Sequence, residues 1–278
     1  MESINLKFKT VHTRQEAAQP VPPGVITISP KQKEFIINPS FICGAIGAYG
    51  GSKTRAGAYK MLHRLSQYPK AAHMVIANTL GQLSKTTMRV YNDVLSQAGL
   101  KRDRDWVYGK KPLKEWDVYS KFDEHENVYS FRNGAQLVAV SAERWSVHDG
   151  QDLMTIHADE FCFFDPDCYN MLIGRLRGWT KYYPLDKYPG AYAQFFCSTV
   201  PAGRKWPYEI FEGDTKRPNS WYIHFTSADN LWIEEGFSKN LADAIGEEAS
   251  RTKVHGAWDD LVNGRVFQFD RAKHIKGV

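Results

Sequence analysis

Two short stretches carry residue types that together suit phosphate chemistry: GAYGGSKT at residues 47–54 and TIHADE at residues 155–160. Glycines followed by Lys53-Thr54 fit a polyphosphate. Loop N–H groups and the positive end of a following helix would converge on the anion, Lys53 would add a point charge at the β and γ phosphates, and the Thr54 hydroxyl would hold Mg²⁺. Asp159 could support the metal's water shell, and Glu160 could polarise a water for attack on the γ-phosphate. Against the pattern G-x-x-x-x-G-K-[ST], Gly47, Lys53 and Thr54 fall in place, but Ser52 occupies the second glycine. Its Cβ could crowd the phosphates or demand a backbone angle that serine tolerates poorly, while Gly50 and Gly51 supply freedom just before it. A glycine-rich turn with an exposed lysine and two acids at a strand end are the plain alternatives. Their joint occurrence, in this order, favours nucleotide hydrolysis.

Such chemistry needs elements that aim both stretches at one point. Residues 41–46 read as a strand buried on both faces, and 53–67 has helical spacing with Tyr59, Leu62 and Leu65 along one side, so the glycines sit at a strand-to-helix turn. Residues 72–77 (AHMVIA) read as a second buried strand; Thr79 can cap a helix reaching about Ala98, where Gly99 stops it. Residues 101–126 are irregular and charged, and NVYSFRNGAQLVAV reads as two strands joined by a type I′ turn at Asn133-Gly134. The run 153–158 is a strand ending on Asp159-Glu160, and ligands of an open α/β sheet lie beyond the carboxyl ends of its strands. A helix from Asp165-Pro166 to Gly178, strands at 192–199 and 221–226 and a helix at 237–249 complete the chain. Residues 1–30 read as an extended lead-in. In KQKEFI, Gln32 could pair with an adenine edge and Phe35 pack on the base, or Gln32 could be a surface residue of a short amphipathic helix.

The 278 residues, 42% hydrophobic, suffice for one large domain or two small ones. A net charge of +5 permits a polyanionic partner without demanding one. Lys101, Arg102, Arg104, Lys110, Lys111 and Lys114 interleave with Trp106, Tyr108 and Trp116, which suits a nucleic-acid surface and equally a solvated loop anchored by rings. Cys43, Cys162, Cys168 and Cys197 form no C-x-x-C pair and read as buried thiols of a reducing compartment rather than metal ligands. No apolar run approaches the roughly 20 residues that span a bilayer, and the N-terminus lacks a secretory signal. A soluble intracellular protein, without a membrane partner, is expected.

Taken in order, these pieces resemble the ATPase domain of the large terminase subunit of tailed bacteriophages. The likeness rests on KQKEFI, GAYGGSKT, MVIANTLGQL, the hairpin around Asn133-Gly134, TIHADEF as Walker B, YNMLIGRLRG, FFCSTVPAG, WYIHFTSADN and HGAWDDLVNGRVF. It implies an α/β fold, a P-loop NTPase of the additional-strand (ASCE) type with a largely parallel central sheet flanked by helices. Residues 31–230 would be the ATPase core and 231–278 a small C-terminal helical or linker subdomain. The implied activity is ATP hydrolysis with Mg²⁺ that translocates double-stranded DNA into a procapsid. Implied partners are the portal protein, the small terminase subunit and further copies in a homo-oligomeric ring, in the cytoplasm of the infected bacterial host.

By position, the resemblance assigns nucleotide binding to Gln32, Gly47, Gly50, Gly51, Ser52, Lys53, Thr54 and Arg55. It assigns the metal to Thr54 and Asp159, water activation to Glu160, and coupling of phosphate sensing to movement to Ser198 and Thr199. The chain departs from the family at Ser52, at Tyr49, which stands where the loop often carries an arginine, and at 148–150 (HDG), where an arginine often precedes the glycine. Arg144 is then the expected arginine finger, with Arg175 and Arg177 behind it. The family's nuclease has no counterpart before Val278, so no DNA cleavage is expected of this polypeptide. A helicase-like remodelling ATPase and a degenerate, non-catalytic adaptor for DNA or portal are the rival readings.

Overall fold

The structure is a computed structural model that describes residues 4–118, 125–148, 150–177, 183–184 and 186–259. The part of the expected C-terminal subdomain beyond 259 and the expected helix end at Gly178 lie outside those residues. The chain opens with β1 (Lys7–Thr10), α1 (Arg14–Ala17) and β2 (Val25–Ile28); the two strands pair in parallel. The expected extended lead-in is thus partly folded, because burial of Ile26 and Ile28 fastens β2 to the core. There follow α2 (Pro30–Ile37), β3 (Ile42–Gly47), α3 (Lys53–Gln67) and β4 (Ala72–Ala77). The Thr79 side chain caps α4 (Leu80–Gln82), which passes through a π-helical turn, Leu83–Thr87, into α5 (Met88–Gln97). Gly99, at φ 74°, ends it.

The next strands are β5 (Trp106–Tyr108), β6 (Val128–Phe131), β7 (Gln136–Ser141) and β8 (Thr155–Asp159). They lead to α6 (Pro166–Arg175), β9 (Gln194–Thr199), α7 (Trp206–Phe211), β10 (Ser220–Phe225) and α8 (Phe237–Lys253), kinked at Gly246. The main sheet has the order β10-β3-β9-β8-β4-β7-β6-β5. It is parallel from β10 to β7, and β6 and β5 add an antiparallel flank. Helices α2, α3 and α5 cover one face through Phe35, Leu62 and Leu95; Leu172 of α6 and Phe211 of α7 pack on the other. β9 lies between β3 and β8, and the pairs Ile46↔Thr199 and Ser198↔Asp159 set the carboxyl ends of all three abreast.

Two local expectations are corrected. The turn between β6 and β7 is not type I′, which needs positive φ at both central residues; here only Gly134 has it, at 84°. Asn133 is claimed by other contacts: its Nδ2 donates to the Leu65 carbonyl at 2.9 Å and its Oδ1 accepts from the Ala135 N–H at 3.2 Å. The segment expected to be irregular contains β5. There Trp106 and Trp116 are buried, while Arg104 and Lys110 pair with Asp105 and Asp103, so rings anchor a solvated charged loop.

Candidate active site

At the end of β3 the backbone passes so close to β10 that a Cβ on Gly47 would lie 1.9 Å from the Phe225 carbonyl oxygen. Only glycine fits there. The chain then turns through Gly50, at φ 74°, and Ser52, at φ 62° and ψ 24°, into α3. Ser52 therefore adopts the left-handed conformation that a glycine would take freely, at a cost of about 1–2 kcal/mol. No side chain caps this helix start, and its first-turn N–H groups are the kind that receive anions. Lys53 is 8% exposed, and its Nζ donates to the Ala48 carbonyl at 2.5 Å. Burial pushes its pKa down to about 8, although Glu160 and Asp159 pull it upward.

The acidic stretch closes on this loop. Thr54 Oγ1 donates to Asp159 Oδ1 at 2.9 Å, Ser198 Oγ donates to the same oxygen at 2.6 Å, and Thr87 Oγ1 donates to Oδ2 at 2.7 Å. Three hydroxyls from three elements thus fix one carboxylate, which is 1% exposed. Behind it stands His157, two residues earlier on the same side of β8. Its Nδ1 lies 2.7 Å from Tyr91 Oη and its Nε2 2.8 Å from Ser198 Oγ. Because Ser198 gives its proton to Asp159, His157 must donate from Nε2 and accept the Tyr91 hydroxyl at Nδ1. A directed chain runs from Tyr91 through His157 and Ser198 to Asp159, and burial keeps the imidazole neutral with a pKa near 4.

Glu160 follows in the left-handed region, φ 58° and ψ 43°, with its N–H donating to the Ser198 carbonyl at 2.7 Å. Burial and the adjacent Asp159 raise its pKa, while Lys53, the Val200 N–H and Lys253 oppose that rise. Such a carboxylate is a stronger proton acceptor than one in water.

The other expected residues take different places. Gln32 is buried and completes a capping box: its Oε1 accepts the Ser29 N–H at 2.9 Å, so the acceptor an adenine edge would need is engaged. Arg55 is engaged by Asp93 of α5 at 3.3 Å rather than by the loop. Thr199 Oγ1 accepts from the Cys162 N–H at 3.1 Å, so it and Ser198 hold the Asp159–Cys162 segment instead of opening onto a phosphate. Arg144 is exposed, and Arg177 is paired with Asp152 at 2.5 Å. All four cysteines are buried free thiols.

Five participants were not anticipated: Tyr91, His157, Gly57, Thr87 and Lys253. His157 shares the period-two face of Asp159, and Gly57 is an interior helix glycine, so both left a trace in the sequence. A Cβ on Gly57 would lie 2.4 Å from the His157 ring. Thr87 and Lys253 left none.

A family model described as phage terminase large subunit matches residues 41–255. No curated protein sequence matches the chain. Among solved structures, the large terminase from a thermophilic bacteriophage, in complex with ADP, superposes with a TM-score of 0.61 at 15% identity, over 84% of this chain and 54% of that one. The Thermus phage P74-26 large terminase ATPase domain gives 0.55 at 15% identity, over 82% and 92%. At these identities the likeness is one of fold, and the chain spans about half the length of the first of these two proteins.

Proposed function

The chain belongs to the phage terminase large-subunit family, and from that premise we propose that it is the Mg²⁺-dependent ATPase module of a viral DNA-packaging motor. The observation that carries this reading is the hydrogen bond from Thr54 to Asp159, which joins two segments 105 residues apart at the carboxyl edge of the sheet. The large terminase of the thermophilic bacteriophage has been solved with ADP and with ATP-γ-S, which supports a nucleotide here.

ATP would lie with its phosphates along 47–54, the α3 amides and Lys53 neutralising charge that grows toward the transition state. The donor set fits magnesium: one hydroxyl and one carboxylate in hydrogen-bond contact, hard oxygens that leave positions for phosphate and water. Thr54 and Asp159 would hold it, and the chemistry it would supply is neutralisation of phosphate charge. Asp159, fixed by three hydroxyls, is positioned to hold the metal. Glu160 orients the attacking water and takes its proton, and Arg144, exposed, is available to a neighbouring subunit in a ring. Duplex DNA would be held by its backbone, with affinity that falls as salt rises. Portal, procapsid and small subunit complete the proposed assembly in the host cytoplasm.

Phosphate release by wild type, Lys53→Ala and Glu160→Gln tests the assignment. Turnover should collapse in both variants; undiminished release would remove these roles.

A further inference from the structure

Under the far half of α3, away from the phosphate loop, the sheet carries a row of polar side chains in place of apolar ones. His73 of β4, Thr155 of β8 and Gln194 of β9 are register partners on adjacent strands, so their side chains share one face, and all three are fully buried. Arg64 of α3, 1% exposed, reaches down to this row. Its Nε donates to Thr155 Oγ1 at 3.0 Å and its Nη2 donates to the Tyr192 carbonyl. The guanidinium lies against the rings of Tyr68 and Tyr192, 4.3 and 4.4 Å from their centroids. Nη1, though buried, makes no hydrogen bond among the described residues. The neighbouring amide of Gln194 cannot turn to serve it, because its Nε2 is committed to the carbonyls of Asn38 and Ser40 at 2.9 and 2.7 Å.

Arg64 is thus a buried cation, and among the described residues no carboxylate pairs with it. Lys60, one turn earlier on the same helix face and also buried, adds a second charge, held by the carbonyls of Phe35, Ile36 and Asn38 rather than by an acid. A charge shut away from water is costly unless an opposite charge and full hydrogen bonding offset it. The two rings and the C-terminal end of α3 offset part of the charge on Arg64, but neither gives Nη1 an acceptor. A water would supply the acceptor alone; a small anion supplies both acceptor and charge. Tyr68 is also a wall of an open cavity of about 650 Å³, lined further by Pro69, Tyr183 and Tyr188, so one ring stands between the guanidinium and a route from the surface. We propose that Arg64 Nη1 binds a monovalent anion of chloride size between α3 and the His73–Thr155–Gln194 row, with the His73 ring N–H as a further donor in that row. The ion fastens the end of α3 opposite the phosphate loop to β8 and β9, and it does so without any contact to the loop.

Crystals soaked in bromide test it directly. An anomalous peak within hydrogen-bond reach of Arg64 Nη1 is expected; a water there, or no density, overturns the proposal. In solution, exchanging gluconate for chloride at constant ionic strength should raise the Tm of wild type by about 3–5 °C for each tenfold excess over the dissociation constant, because only the folded chain binds the ion. Arg64→Met should lose that response. Thr155→Asp, which sets a carboxylate against Arg64 Nε, should lose it too while keeping the guanidinium, and it decides the matter if the methionine variant fails to fold. No chloride response in wild type, or an equal one in wild type and variants as general salt effects would give, overturns the site. Neither result bears on the nucleotide reading.

Discussion

Replacing Gly57 by alanine tests whether the Tyr91–His157–Ser198–Asp159 chain is a working part of the site. In a plain helix interior this change would stabilise by about 1 kcal/mol. Here the added Cβ would sit 2.4 Å from the His157 ring. The ring cannot step aside cheaply, since it is stacked on Phe196 at 4.8 Å and hydrogen-bonded at both nitrogens. Overpacking of this kind costs about 1–3 kcal/mol, and each lost neutral hydrogen bond about 1 kcal/mol more. After the helix gain is deducted, a net loss of roughly 3 kcal/mol is expected, or a fall in Tm of about 6–12 °C for a chain of this size. Turnover should fall about tenfold to a hundredfold, because Ser198 would no longer orient Asp159. Thermal melting and phosphate release on Gly57→Ala, His157→Ala and the double variant form a cycle that isolates the clash. With the imidazole gone, the alanine should revert to stabilising by about 1 kcal/mol. An equal cost in both backgrounds would refute the reasoning.

Lys53→Met should raise the stability of the nucleotide-free protein near neutral pH, because a charged ammonium is no longer buried. The folded pKa, about 8, lies below the unfolded value of 10.5, so the unfolded chain binds more protons between them and wild type gains stability as pH climbs through that window. The variant's advantage should therefore be greatest below pH 8 and vanish above about 10.5; denaturant melts across that range would show a constant gap if Lys53 were not desolvated. Thr87→Val removes the one hydrogen bond that Asp159 Oδ2 makes among the described residues and should cost about 1.5–3 kcal/mol, with a lower turnover; unaltered melting and rate would deny it a role. Arg144→Ala should change stability by less than about 0.5 kcal/mol and leave monomer turnover alone, yet lower ring-stimulated turnover by about 10³–10⁵. Full stimulation in an assembled ring of the variant would exclude it as the finger.

How much of this was legible in the sequence depends on how local each cause is. Residues 53–67 and 72–77 coincide with α3 and β4 because helical spacing and an unbroken apolar run are properties of neighbouring residues. β5, three residues inside a charged loop, depends on its pairing with β6, and β1 and β2 depend on each other and on the core beneath them, so composition misses them. Gln32 shows a related point. Ser29 and Gln32 at capping-box spacing carried a local structural explanation that competed with adenine recognition, and the local bond is the one formed. Thr87 is reached through a π-helical turn, whose extra residue per turn shifts every later side chain around the axis; no periodicity reading anticipates that.

The two strained residues explain why adjacent acids can do different work. Along a regular strand Asp159 and Glu160 would face opposite sides of the sheet, one against each helical layer. At φ 58° the chain leaves β8 at Glu160 and curls into a short 3₁₀ turn, Phe161–Phe163, while Thr199 holds the following Cys162 N–H. Glu160 is thereby turned to where Lys53 and the Val200 N–H act on it, while Asp159 remains on the strand face that meets Thr54, Thr87 and Ser198. Ser52 sustains the matching bend on the opposite side, at the head of α3. Each bend costs on the order of 1–3 kcal/mol, and each persists because tertiary bonds on both flanks leave the backbone no relaxed course. Relieving Ser52 with glycine should therefore stabilise the fold without improving the site, since the angle is already the one the chemistry needs and a freer backbone would hold it less firmly; at Glu160 the same change would also delete the proposed base.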